Sequence, residues 1–314
     1  MKSAVDLTSR VGTVVLPNPI MTASGTAGHG AELSAYFDLS VLGAVVVKSL
    51  SAEAWAGNPA PRVHETEAGM LNSVGLQNPG VEAWLADELP ALVATGARVV
   101  ASIWGTTVAG YEKAAAVLAA SAPAAAALVA VEVNLSCPNL EGGRHMFSSD
   151  PSATREAVAA VVGVLDGRPA WAKLSPNVTD IVEIAVAARD GGAAALTLVN
   201  TVKGMAIDPV SRRPRLGTGG GGLSGAGIRP VAVRAIFDVH AALPHVPIVG
   251  VGGVASGEHA VELLLAGASA VQVGTATFDD PRACVRVLAG LEAWCRRHRV
   301  ARVADLVGQA HGAP

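Results

Sequence analysis

Short apolar runs recur along the chain, each followed by Gly, Asn or Ser and then by a stretch with helical periodicity. The runs fall at 19–23 (PIMTA), 44–48 (AVVVK), 98–103 (RVVASI), 129–134 (VAVEVN), 170–174 (AWAKL), 195–199 (ALTLV), 247–250 (PIVG) and 270–273 (AVQV). They are brief, β-branched and apolar almost throughout, the pattern of parallel strands buried on both faces. Amphipathic or alanine-rich windows lie between them, including 151–165, 179–190, 230–242, 257–266 and 281–294. Ser152, with Glu156 in the first turns, reads as the start of one helix, and Ser256 before Glu258 as the start of another. Strands alternating with helices at this spacing predict an α/β fold, a closed (β/α)8 TIM barrel. The competing open doubly wound sheet lacks its signature, since no GxGxxG follows the first run. Residues 3–16 read as an N-terminal hairpin able to plug the barrel's N-terminal end. Residues 49–80, full of turns, read as a long excursion after strand two, above the C-terminal face. No linker divides the chain, so 1–314 reads as a single barrel domain.

The polar residues that interrupt this pattern sit at or near strand ends. Lys48, Asn134, Lys173 and Asn200 close the second, fourth, fifth and sixth runs. Function in such barrels lies at that face. A lysine inside a buried strand needs an anion or a carbonyl-rich ligand to offset its desolvation. One such residue is a solvated strand end; four in register predict a shared pocket. Glycines end the last two strands, at Gly250-Val251-Gly252-Gly253 and Gly274-Thr275. There, backbone N–H groups approach a ligand closely, and loops after strands seven and eight commonly hold phosphate. A third cluster, Gly219 to Gly222 with Gly225 and Gly227, strengthens the expectation of a phosphorylated ligand across the mouth. Cys137, in the polar turn NLSCPN, is a candidate base or nucleophile, whereas Cys284 and Cys295 fit small buried residues in a late helix.

Composition narrows the options. Of 314 residues 51% are apolar and only 16% charged, which excludes a disordered chain. The formal charge of −3 offers no basic field for nucleic acid or anionic membrane. No apolar stretch is long enough to span a bilayer, and the N-terminus has no signal-peptide pattern. Three scattered cysteines form neither a disulfide framework nor a cluster-ligand set, and predict a reduced, cytoplasmic setting. The histidines show no metal-binding spacing, and His29 and His145 read as loop residues.

The pieces NPIMTASGT, VVVKSLS, NSVGLQNPG, NLSCPN, AKLSPNVTDI, LVNTVKGMAID, GGLSGAGIRP, GVGGV and VGTATF, in order from residue 18 to about 281, resemble the class 1 dihydroorotate dehydrogenases. These are flavin mononucleotide (FMN) barrels of pyrimidine (UMP) biosynthesis. The resemblance implies FMN contacts at Ser24, Lys48, Ser49, Asn134, Lys173, Val199, Gly225, Gly252, Gly253, Gly274 and Thr275. It implies contacts to the orotate ring and carboxylate at Lys48, Asn72, Ser73, Val74, Gly75, Leu76, Asn134, Asn139, Asn200 and Thr201. Cys137 matches the base that removes the C5 proton of (S)-dihydroorotate while hydride passes from C6 to flavin N5. Lys173 then lies near the flavin's pyrimidine end. An ordinary thiol is only slightly ionised at neutral pH, so activity should rise with pH.

Gly142-Gly143 after the CPN turn and the piece KLSPNVTDI look like the NAD-linked class 1B. That class pairs the barrel, a homodimer, with a second subunit holding FAD and an iron–sulfur cluster in a heterotetramer. The fumarate-linked class 1A is the alternative within the family. Ser102 is also expected at the cofactor, but it departs from the family, which usually has an Asn touching the flavin there; its shorter hydroxyl should lose one amide contact. Trp104 replaces a small residue, and the loop 217–222 is unusually glycine-rich. These departures leave room for a relative acting on another dihydropyrimidine or cyclic amide.

Overall fold

The computed structural model describes residues 5–137 and 146–312. All eight expected strands form: β1 (Ile20–Thr22), β2 (Val45–Val46), β3 (Val99–Ile103), β4 (Leu128–Asn134), β5 (Ala170–Leu174), β6 (Ala195–Leu198), β7 (Ile248–Val251) and β8 (Ala270–Val273). They pair in parallel in the ring order β1-β8-β7-β6-β5-β4-β3-β2. Closure between β1 and β2 is thin, a bridge from Met21 to Ala44. Thr22 reinforces it: its Oγ1 accepts from Val46 N at 2.8 Å and donates to Val46 O at 3.1 Å. The strand residues are almost all buried, as runs covered on both faces must be.

Side chains alternate across a strand, so every second residue enters the barrel. One set, comprising Met21, Ala44, Val46, Val100, Ala130, Trp171, Ala195, Val249 and Ala270, packs against Val11, Val14 and Leu16. Those last three come from an antiparallel hairpin, Ser9–Val11 and Val14–Leu16, which plugs the N-terminal end as its position implied. Outer-facing strand residues pack on the helices, among them Val108–Ala120, Pro151–Val164, Ile181–Asp190, Arg229–Ala242, Gly257–Ala266 and Ala283–His298. Ser256 caps its helix by accepting from His259 N. The helix at 151 starts differently from expectation: Asp150, not Ser152, caps it by accepting from Ala153 N at 2.8 Å. Pro151 at the first helical position puts Ser152 inside the first turn, where its hydroxyl bonds Glu156 instead. The last window, 281–294, forms within Ala283–His298, and a short unexpected helix, Ala276–Asp279, precedes it.

The excursion after β2 does rise over the C-terminal face, and it has a partner. Its strands Val63–Thr66 and Gly69–Asn72 join Gly221–Ser224 and Val202–Gly204, from the segment between β6 and β7, in one antiparallel sheet. This sheet roofs the barrel mouth. No helix among the described residues is long and apolar enough to cross a membrane.

Candidate active site

Between floor and roof lies a cavity of about 1060 Å3. That exceeds what a drug-sized ligand needs, and leaves space for a cofactor and a small substrate together. The strand ends supply its floor: Ser24 after β1, Lys48 and Ser49 after β2, Asn134 and Ser136 at β4, Lys173 on β5, and Val199, Asn200 and Thr201 after β6. Asn72, Ser73, Val74, Gly75 and Leu76 wall it from the roof side. Gly225, Gly252, Gly253, Gly274 and Thr275 line the remaining wall. The structure thus brings together all the expected contact residues except Ser102 and Cys137, with Asn139 falling outside the described residues.

A chain of short polar side chains organises the floor. Asn200 Nδ2 donates to Asn134 Oδ1 at 3.1 Å, and Asn134 Nδ2 donates to Ser49 Oγ at 3.2 Å. Ser49 and Ser102 hydroxyls are 2.8 Å apart. Ser102 is wholly buried behind Ser49 and does not reach the cavity, contrary to the expectation of a cofactor contact. Its side chain is too short to pass Ser49, so it braces that residue instead. Asn177, bonded to Thr201 O at 2.9 Å and to Lys203 N at 2.7 Å, fixes the exit from β6.

The charged groups differ in their surroundings. Lys48 is half-buried; burial pushes its ammonium below the ordinary lysine value, and the Arg62 guanidinium adds to the effect. Lys173 is buried, and its Nζ donates to Ser24 Oγ at 2.9 Å and lies 3.4 Å from Glu132 Oε1. Glu132 is wholly buried inside the barrel, and its Oε2 accepts from Gln272 Nε2 at 2.7 Å. Sequence reasoning missed both Glu132 and Gln272. Period-two alternation could have found them, because Glu132 shares its face with Asn134, and Gln272 shares its face with Gly274.

The polar turn around Cys137 implied an accessible thiol, but the structure buries Cys137 completely. Phe147 N donates to Cys137 O, and Ser148 N donates to Leu135 O, so the returning chain covers the turn. Cys137 Sγ approaches Asn134 O at 3.5 Å, the same carbonyl that accepts the Tyr111 hydroxyl at 2.7 Å. Burial pushes the thiol up to about 12, opposed by the Tyr111 hydroxyl beside it. At this point the cavity wall is Asn134 and Ser136.

Two details of the wall favour a polar ligand. The hydroxyls of Ser73 and Ser136 are buried with no hydrogen-bond partner among the described residues, a state that a bound ligand would relieve. Gly274 has open space beside it: an added Cβ would meet only Ala23 Cβ at 3.4 Å and Thr26 Cγ2 at 3.8 Å. Backbone rather than side chain therefore faces the ligand there. Among the described residues no cluster of His, Cys, Asp or Glu is arranged to hold a metal ion.

Comparison with known proteins agrees with this geometry. The family model described as "Dihydroorotate dehydrogenase" matches residues 6–294. A relative from Pelobacter propionicus, named as the catalytic subunit of dihydroorotate dehydrogenase B (NAD(+)), is 46% identical over 96% of this chain and 98% of its own. One from Alkaliphilus oremlandii with the same name is 47% identical over 95% of this chain and 97% of its own. Another, from Solibacter usitatus and provisionally named dihydroorotate dehydrogenase A (fumarate), is 47% identical over 96% of this chain and 97% of its own. With the motifs, the barrel and the match all spanning nearly its whole length, the chain belongs to the dihydroorotate dehydrogenase family.

Proposed function

We propose that the chain is one FMN-binding barrel, the catalytic subunit of a class 1B dihydroorotate dehydrogenase of pyrimidine biosynthesis, working in the cytoplasm. One observation carries this reading. Asn72, Asn134, Asn200 and Lys48 surround the same cavity whose far wall is Gly252, Gly253, Gly274 and Thr275. Amides pair with the alternating N–H and C=O groups of a pyrimidine ring, a cation meets its carboxylate, and a glycine-lined wall suits a phosphate. When bound, FMN supplies the hydride acceptor.

The chain's own residues bind, orient and move a proton. Asn134 and Asn200, already bonded to each other, hold their amides ready for the ring. Lys48, half-buried near the like-charged Arg62 and in no ion pair among the described residues, gains most from an incoming carboxylate. Cys137 is the group to accept the C5 proton, and to do so Sγ must leave the place it holds beside Tyr111 for the wall that Ser136 occupies. A partner subunit carrying FAD and an iron–sulfur cluster would take up the electrons, in a heterotetramer built on a homodimer of this chain.

The test is an anaerobic titration. The purified protein should be yellow and bleach with dihydroorotate, then recover its colour with NAD only when the partner subunit is present. Recovery with fumarate alone would move it to class 1A, the type named for the Solibacter usitatus relative. Bleaching by dihydrouracil but not by dihydroorotate would reject the substrate, since dihydrouracil lacks the carboxylate assigned to Lys48.

A further inference from the structure

One layer below the cavity floor, the barrel interior holds a buried polar layer that the proposed chemistry does not use. Glu132 on β4 is wholly buried, yet it spans from Lys173 on β5, at 3.4 Å, to Gln272 on β8, at 2.7 Å. Lys173 continues the chain to Ser24 at the mouth. Packing alone does not account for this arrangement, because a buried ion pair is commonly no more stable than hydrocarbon of the same volume. Gln272 adds a second sign. Its Nε2 is committed to the carboxylate, while its Oε1 is buried with no partner among the described residues. An amide left half-satisfied is costly, and its donor, spent on Glu132 Oε2, fixes where that carboxylate lies beside Lys173.

We propose that Glu132 is a positioning residue that sets the charge Lys173 presents to the cavity. The inference rests on reading the cavity as an FMN site. Held between Glu132 and Ser24, Lys173 offers the cavity the positive end of a neutral pair rather than a full unit charge. The carboxylate thereby moderates how strongly the bound flavin attracts electrons, and Gln272 keeps the carboxylate in place.

The holoenzyme tests this through sulfite, which adds to oxidised flavin as an anion and so reports positive charge near the pyrimidine end. Glu132→Gln is nearly isosteric. Rotating the Gln272 amide brings its idle Oε1 to the new NH2 group, so the layer keeps its hydrogen bonds. This variant should bind sulfite about tenfold more tightly, because the ammonium loses the opposite charge beside it, and its flavin should be easier to reduce. Adding Lys173→Met should abolish the gain. Glu132→Asp draws the carboxylate back by one methylene and should shift sulfite affinity in the same direction by less, which keeps the test available if the Gln variant is insoluble. Unchanged or weaker sulfite binding in both single variants, or a gain that persists without Lys173, overturns the inference. A colourless wild-type protein overturns the FMN reading and this inference together; a yellow wild type that bleaches with dihydroorotate, with sulfite affinity unmoved in the variants, overturns this inference alone.

Discussion

The burial of Cys137 makes its reactivity a quantitative test of the site. With its thiol pushed up to about 12, the fraction ionised at pH 8 is about 1 in 10,000, against about a quarter for an ordinary thiol near 8.5. That is a deficit of roughly 2,000-fold. A more basic thiolate is intrinsically more nucleophilic, and with a Brønsted slope of about 0.4–0.5 over some 3.5 units this restores roughly 30-fold. Ionisation alone should therefore slow alkylation about 50- to 100-fold relative to the unfolded chain. Zero exposure adds the cost of local opening on top. The assay is a time course with iodoacetamide on ligand-free protein, quenched and mapped by mass spectrometry, with the urea-unfolded chain as reference. Cys284, equally buried and likewise near 12, is the internal control. Cys137 should label as slowly as Cys284. Labelling of Cys137 within fivefold of the unfolded rate, with Cys284 protected, would refute the placement of the sulfur beneath Tyr111.

Other expectations follow from the same geometry. Thr22→Val removes the hydroxyl that satisfies both Val46 N and Val46 O at the barrel seam; it should cost about 2–4 kcal/mol in urea unfolding, and a loss under 0.5 kcal/mol would show that the seam does not need it. Gly253→Val forces a branched residue into φ +70 with its Cβ 2.6 Å from Arg229 Cβ; thermal melts should show a loss of at least about 2 kcal/mol, and an unchanged melting curve argues against that turn. The thiols of Cys137 and Cys284, both raised to about 12 in the fold, confer stability that is intact below the unfolded thiol value near 8.5. It declines above that by about 1.4 kcal/mol per pH unit for each thiol up to about 12. Unfolding series from pH 7.5 to 10.5 should steepen accordingly, Cys284→Ala should lessen the slope, and a flat profile in the parent protein counts against both burials.

Much of the fold was legible because a buried parallel strand writes itself as a short β-branched run, and all eight were found within one or two residues of their ends. The cavity floor was legible for a related reason: Lys48, Asn134, Lys173 and Asn200 break apolar runs at the end where loops converge. What escaped depends on the third dimension. Glu132 reads along the chain as one polar residue inside the run 129–134, and only its sharing a face with Asn134 betrays that it points inward. The roof could not be read, because Gly221–Ser224 is half glycine and carries no strand signature until Gly69–Asn72 lies beside it. Cys137 was misjudged as accessible because local composition says nothing of Phe147 and Ser148 returning over the turn. Asp150 outcompeted Ser152 for the cap because Pro151 fixes where the first helical turn begins.

The pairing of Asn72 with Gly222 also bears on how the protein is made. Those residues are 150 positions apart, whereas each neighbouring pair from β3 to β6 is joined by a single βα segment. Long separations delay contact formation, because the entropy of bringing distant segments together must be met first. During synthesis the first six barrel strands can therefore associate while the cover strand and the last two strands of the ring are still unmade. A nascent chain that stops short of residue 221 would hold the hairpin and six of the eight strands but lack both the strand Gly221–Ser224 and the wall of Gly252, Gly253, Gly274 and Thr275 that would face a nucleotide. Uptake of the coloured cofactor is thus a late event, and its appearance marks the moment at which the last third of the chain has come home.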